Sequence, residues 1–219
     1  GGYSTIKLQY NGTSVVDIFS NVSSNIFIGL DSGSVITSGT GNVALGDNAL
    51  SATTIGTSNT AIGYFALDSN VAKQGSTAIG YQAMMYADNT TTQGLSYNTA
   101  VGYQALVGSP APSSNTGMYN TVVGHQSMTV NTTGSYNSAL GVNTLINNTI
   151  GQYNVAVGYG ALFTNVAKNA SIAIGYEAMR YADNTTTTGT SGNIAVGYQA
   201  LKGSTTASNN TGTNNIALG

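Results

Sequence analysis

Catalysis, metal binding and nucleophilic attack start from ionisable side chains, and this chain of 219 residues is poor in them. It has one His, seven Asp and Glu, five Lys and Arg, and no Cys. His125, the single imidazole, could serve as a general base. However, the β-helical enzymes that use one in this way follow a hexapeptide period, which is absent here, and His125 stands where neighbouring units carry Tyr. No Ser-His-Asp set can be assembled around it without an arbitrary choice of partners. Asp88 and Asp183 lie in identical segments, residues 86–92 and 181–187, both reading YADNTTT. Beside Asn and Thr oxygens each could join a calcium shell, but neither segment supplies the several acidic ligands of a calcium loop. Solvated loop is the plainer reading. Tyr86, Asp88, Asn89, Tyr181, Asp183 and Asn184 are therefore candidates for a surface-binding loop rather than for catalysis. Glu177 and Arg180 read as isolated, solvated charges.

The tyrosines are the other candidate chemistry. One column follows a recurring Gly (Tyr64, Tyr81, Tyr103, Tyr159, Tyr176, Tyr198), and another precedes a recurring Asn (Tyr97, Tyr119, Tyr136, Tyr153). Ring faces beside amides suit sugar binding. The competing reading is that the rings brace neighbouring units. No cofactor is implied by any of these residues.

A repeat positions these columns. The phrase Asn-x-Ala-aliphatic-Gly-x-x-Ala-Leu/Met begins at Asn42, Asn59, Ser76, Asn98, Asn120, Asn137, Asn154, Ser171 and Asn193. A degenerate copy precedes these at 25–29, and a shortened one occupies 215–219. Successive central glycines are 17 or 22 residues apart, and the order of those spacings recurs as a block of 95 residues. Internal repetition of this kind defines stacked architectures. A 17-residue unit cannot bury a core alone, but identical units can by stacking strand on strand. The expected fold is all-β, a parallel β-solenoid, with each unit contributing two short strands such as TAV and QAL joined at the Gly. At about 4.8 Å per coil, eleven coils make a rod of roughly 50 Å. Five coils then separate Asp88 from Asp183 by roughly 24 Å, too far for a catalytic pair.

Composition fits that geometry. Charged residues are 5% of the chain, against roughly 25% in ordinary domains. In a stack, a charge meets its own copy one coil away, and two such charges repel by about 1 kcal/mol even in water. Asn can instead form an amide ladder. With a net charge of −2 and few basic residues, a nucleic-acid partner is not expected. Neither a membrane-spanning apolar run nor a signal peptide is read in the chain.

On the strand, alternate residues face opposite ways. One face is nearly all Ala. The other carries Val43, Leu45, Ile62, Ile79, Val101, Val123, Leu140, Val157, Ile174, Ile194 and Val196. A strand apolar on both faces is normally buried on both. The coil interior covers one, and further copies of the chain are expected to cover the other.

At these residues, phrases such as NTAIGYFAL (59–67) and STAIGYQAM (76–84) resemble the head repeats of trimeric autotransporter adhesins and the shaft repeats of bacteriophage tail fibres. The resemblance covers about residues 25–219. It implies a homotrimeric fibre of left-handed β-rolls, extracellular or on a virion, whose partners are its own copies and a cell-surface receptor, with glycan as one ligand class. Adhesin head units are usually shorter, which favours the phage or environmental type of fibre. Residues 1–24 do not fit the repeat. They read as a hairpin about Asn11-Gly12, a cap or the end of a preceding module, and the solenoid of 25–219 is expected to continue in a longer parent protein. An ice-binding surface built on Thr60, Thr77, Thr99 and Thr121, or a polysaccharide-binding solenoid, is the alternative.

Overall fold

The computed structural model describes residues 4–10, 13–20, 24–111 and 114–219, with backbone alone for the first two stretches. The proposed Asn11-Gly12 turn lies outside them. In chain order the strands are β1 (Ser4–Tyr10), β2 (Thr13–Ser20), β3 (Ile26–Ile28), β4 (Val43–Leu45), β5 (Thr60–Ile62), β6 (Lys73–Gln74), β7 (Thr77–Ile79), β8 (Gly94–Leu95) and β9 (Thr99–Val101). There follow β10 (Thr121–Val123), β11 (Ser138–Leu140), β12 (Val155–Val157), β13 (Lys168–Asn169), β14 (Ile172–Ile174), β15 (Gly189–Thr190), β16 (Ile194–Val196) and β17 (Ile216–Leu218). A 3-10 turn at Ala207–Asn209 accompanies them.

One 13-stranded sheet runs the length of the molecule. From β3 to β17 eleven of its strands are parallel, one per coil, so the chain is a parallel β-solenoid. The register places like on like: Thr60 on Thr77, Ala61 on Ala78, Ile62 on Ile79. β1 and β2 pair antiparallel, and β2 lies antiparallel on β3, joining the N-terminal hairpin to the first coil. The pairs β6–β8 and β13–β15 form two small parallel sheets at positions related by the 95-residue block.

The core is thin. Ala61, Ala78, Ala100 and Ala156 on the strands are fully buried, and Leu67, Met84, Leu106 and Leu162 fill the space opposite. Small residues on the sheet let the long side chains reach it, and each buried Leu or Met contributes about 1.5–3 kcal/mol.

The second half of the phrase departs from the expected strand. Residues 103–106 form turns, and Gln104 and Leu106 have φ of 52° and 51°. The same left-handed pair recurs at Gln82 and Met84, and at Glu177 and Met179. Hydrogen bonding gives the reason. The Gln104 N–H donates to Tyr81 O one coil before, and the Leu106 N–H to Ser127 O one coil after, both at 2.9 Å. The left-handed residues aim alternate N–H groups at opposite neighbouring coils, while the Ala105 N–H between them stays within its own coil on Gly102 O, a ladder made without a strand. The glycine before it is required twice over. Gly102 has φ 135°, and a Cβ there would lie 2.4 Å from Gly124 O of the next coil.

Candidate binding surface

The outer face of the sheet is an uncharged ribbon. In the single chain Leu45 is 46% exposed, Leu140 51% and Ile174 39%. Val43, Ile79 and Val196 are also exposed, whereas Ile62, Val101, Val123, Val157 and Ile194 are half-buried. The Ala face is the one that lines the coil interior.

Tyrosines flank this ribbon in sequence, and their rings stack along the coils. Tyr81 and Tyr103 are 5.1 Å apart at 7°, Tyr119 and Tyr136 5.1 Å at 7°, and Tyr136 and Tyr153 5.1 Å at 5°. His125 occupies the first column, stacked on Tyr103 at 5.1 Å, and is exposed. Near-parallel rings turn their faces to one another, leaving mainly edges and hydroxyls outward. A sugar needs a ring face, so the geometry favours bracing of the coils.

The Asn column forms buried amide ladders, interrupted at Ser76 and Ser171. Oδ1 of Asn120 accepts the Asn137 backbone N–H at 3.0 Å and Asn137 Nδ2 at 3.1 Å, and Asn137 Nδ2 also donates to Gly151 O. The ladder reaches Ser76, whose N–H donates to Asn59 Oδ1, and there it lacks an amide. Asp88 takes its place. Its carboxylate accepts from Ser76 Oγ, from Ser96 Oγ at 2.6 Å and from Asn98 Nδ2 at 3.5 Å. Asp183 does the same with Ser171 at 2.5 Å, Ser191 at 2.7 Å and Asn193 at 3.2 Å.

This corrects the solvated-loop reading. Asp88 and Asp183 are 2% and 3% exposed, and Asn89 is also buried. Burial pushes the Asp88 carboxyl above its ordinary value, opposed by the hydrogen bonds from Ser76, Ser96 and Asn98 and by the charge of Lys73. Asn89 and Asn184 are committed within the loops: Asn89 Oδ1 accepts from Asn115 Nδ2 at 2.8 Å, and Asn184 Oδ1 from Asn210 Nδ2 at 3.0 Å. The carbonyls of Tyr86 and Tyr181 accept from the same two amides, and both tyrosines are half-buried. The six residues are fasteners of the long coils. The sequence held a signal for this, since each Ser that replaces an Asn is followed twelve residues later by an Asp.

Glu177 and Arg180 are not isolated either. The Arg180 guanidinium pairs with Glu177 Oε1, and Lys202 Nζ lies 2.9 Å from Glu177 Oε2. Gln199 Nε2 donates to the same oxygen at 2.9 Å, and Arg180 sits 4.6 Å from the centroid of the Phe163 ring. The hydrogen bond from Lys202 holds the Glu177 carboxyl below its usual range, aided by the charges of Arg180 and Lys202.

Among the described residues no three of His, Asp and Glu come together as a metal cluster, and no helix is long and apolar enough to cross a membrane. A cavity of about 180 Å³ opens over Ala182, Asp183, Leu201, Asn210 and Asn215. It is coil interior, and its first-block counterparts Ala87, Asp88, Leu106, Asn115 and Asn120 are buried. Fold and surface together define a β-solenoid with an uncharged outer ribbon. No family model, curated protein or solved structure matches the chain.

Proposed function

We propose that the chain is a non-catalytic segment of an extracellular fibre, a phage tail-fibre shaft or a bacterial surface adhesin head, assembled as a homotrimer around the outer ribbon. The observation carrying this reading is the run of aliphatic side chains, part-exposed to exposed and without one charge, along eleven parallel strands. Parallel sheets are normally covered on both faces, and an open apolar strip of this length exceeds what a monomer usually shows. A like copy fits because a repeating column meets the same period in its partner. Rigidity and resistance to proteolysis are then its working properties. Recognition of a cell-surface receptor, glycan included, falls to the exposed loop tips at 91–93 and 186–188.

The test is a charge on the ribbon. Leu140→Glu and Ile79→Glu point outward in one chain and leave its core intact, so they should dissociate the assembly while far-ultraviolet circular dichroism is unchanged. Sedimentation showing the same species for wild type and both variants would reject the trimer.

One observation favours an ice-binding surface as second reading. Thr60, Thr77, Thr99 and Thr121 are paired directly, coil on coil, on one sheet. Thermal hysteresis in the purified protein would support it, and its absence would remove it.

A further inference from the structure

We propose that the column Tyr119, Tyr136, Tyr153 is a site of oxidative cross-linking, at which a one-electron oxidant of the peroxidase class, with hydrogen peroxide, staples neighbouring coils through dityrosine. Three features meet in this column. The rings are held in sequence, 5.1 Å apart between centroids. They are nearly parallel, at 7° and 5°. They are also open to a reagent, with Tyr119 38% exposed, Tyr136 47% and Tyr153 57%.

The chemistry balances. Each phenol gives one electron and one proton to the oxidant and becomes a phenoxyl radical, with spin on the carbons ortho to oxygen. Two neighbouring radicals form one carbon–carbon bond between ortho positions. Each of those carbons then passes its hydrogen to the phenol oxygen and restores the ring. Two tyrosines and one hydrogen peroxide yield one dityrosine and two waters.

Position makes coupling within the chain faster than coupling between chains. Pre-oriented groups react with effective molarities of about 10⁵ M and above in favourable cases, far beyond the concentration of other molecules in solution. Because the rings stand at the surface, a small tilt brings adjacent ortho carbons together without moving the core. The product closes a loop of 17 residues, Tyr136 to Tyr153 or Tyr119 to Tyr136, and restrains the unfolded chain as a disulfide would. The inference does not rest on the trimer, since both rings of each pair belong to one chain.

The experiment treats the purified chain with horseradish peroxidase and hydrogen peroxide and maps cross-linked peptides by mass spectrometry. The expected product is a peptide pair joining Tyr136 to Tyr153 or to Tyr119, lighter by two hydrogens, in a yield unchanged by dilution. Its denaturation midpoint should rise. Tyr136→Phe keeps the stack but removes the central phenol, so both links should vanish. Tyr181→Phe, outside the stacked columns, should retain them. Absence of these pairs overturns the proposal. So does a product linking like to like, such as Tyr136 to Tyr136, a yield that falls on dilution, or persistence of the links in Tyr136→Phe.

Discussion

The two copies of the 95-residue block share most of their interior and differ on the outside, in charge chiefly along one outer edge. Ser76, Asp88, Ser96 and Asn98 are repeated as Ser171, Asp183, Ser191 and Asn193, with the same hydrogen bonds. By contrast Asp68, Gln82, Met85 and Val107 of the first copy stand opposite Phe163, Glu177, Arg180 and Lys202 of the second. In the first, an amide ladder runs Gln126 to Gln104 to Gln82, with bonds of 3.0 and 2.8 Å. Glu177 cannot donate, so the second copy surrounds it with donors from Arg180, Lys202 and Gln199. The stack tolerates a charge where cations from the same and the next coil reach it. The lesson is that the buried columns specify the fold, whereas outer columns vary in compensating groups.

The comparison is broken most severely at the glycines, which the two copies share. Gly80→Ala and Gly175→Ala should each cost at least about 3 kcal/mol, from a left-handed backbone and a Cβ placed 2.4 or 2.3 Å from the next coil's carbonyl oxygen. Denaturant melts should show equal losses in the two copies. A tolerated substitution would mean that the coils are not in such close contact.

Next come the carboxylate plugs. Asp88→Ala should lose about 1–3 kcal/mol for each of the buried hydroxyl donors it leaves unpaired, Ser76 and Ser96, whereas Asn98 Nδ2 keeps Ser96 Oγ and Gly117 O. Asp88→Asn should behave differently. Burial raises the Asp88 carboxyl, so the folded state holds a proton that the unfolded chain releases, and stability rises as pH falls through the folded value towards the ordinary one. Asp88→Asn should therefore be most favourable relative to wild type near neutral pH, and the difference should shrink in acid. Melts at stepped pH values check this, and a difference that grows in acid would contradict it.

Glu177 has the opposite sign. Its carboxyl is held low, chiefly by Lys202, so its stabilisation is present above the ordinary carboxylate value and lost as pH falls through the lowered one. Glu177→Gln should remove that acid-dependent loss with a smaller effect at neutral pH than Asp88→Ala. The smallest effect is expected from moving the cluster. Gln82→Glu alone should destabilise the first copy slightly, and adding Met85→Arg and Val107→Lys should restore it. Failure of the triple variant to recover would mean that Phe163 is also required.

Much of this architecture was legible because repetition makes side-chain columns visible. The strand at each Ala-aliphatic pair, the Asn ladder and the stacked tyrosines follow from which types recur at which spacing. The left-handed residues Gln104 and Leu106 were not legible, because Gln and Leu have no preference for positive φ and only hydrogen bonds to both neighbouring coils impose it. Asp88 was misplaced for a similar reason. A lone carboxylate in a Thr-rich segment reads as solvated until the missing amide of Ser76 is seen beside it. The ties among Glu177, Arg180 and Lys202 span two coils, which linear spacing alone did not join.

The central claim is that the outer ribbon is covered by further copies of the same chain. Light scattering on the eluting protein tests it most directly. The account predicts a single species of three times 22.2 kDa. A stable, well-behaved monomer of 22.2 kDa would contradict it.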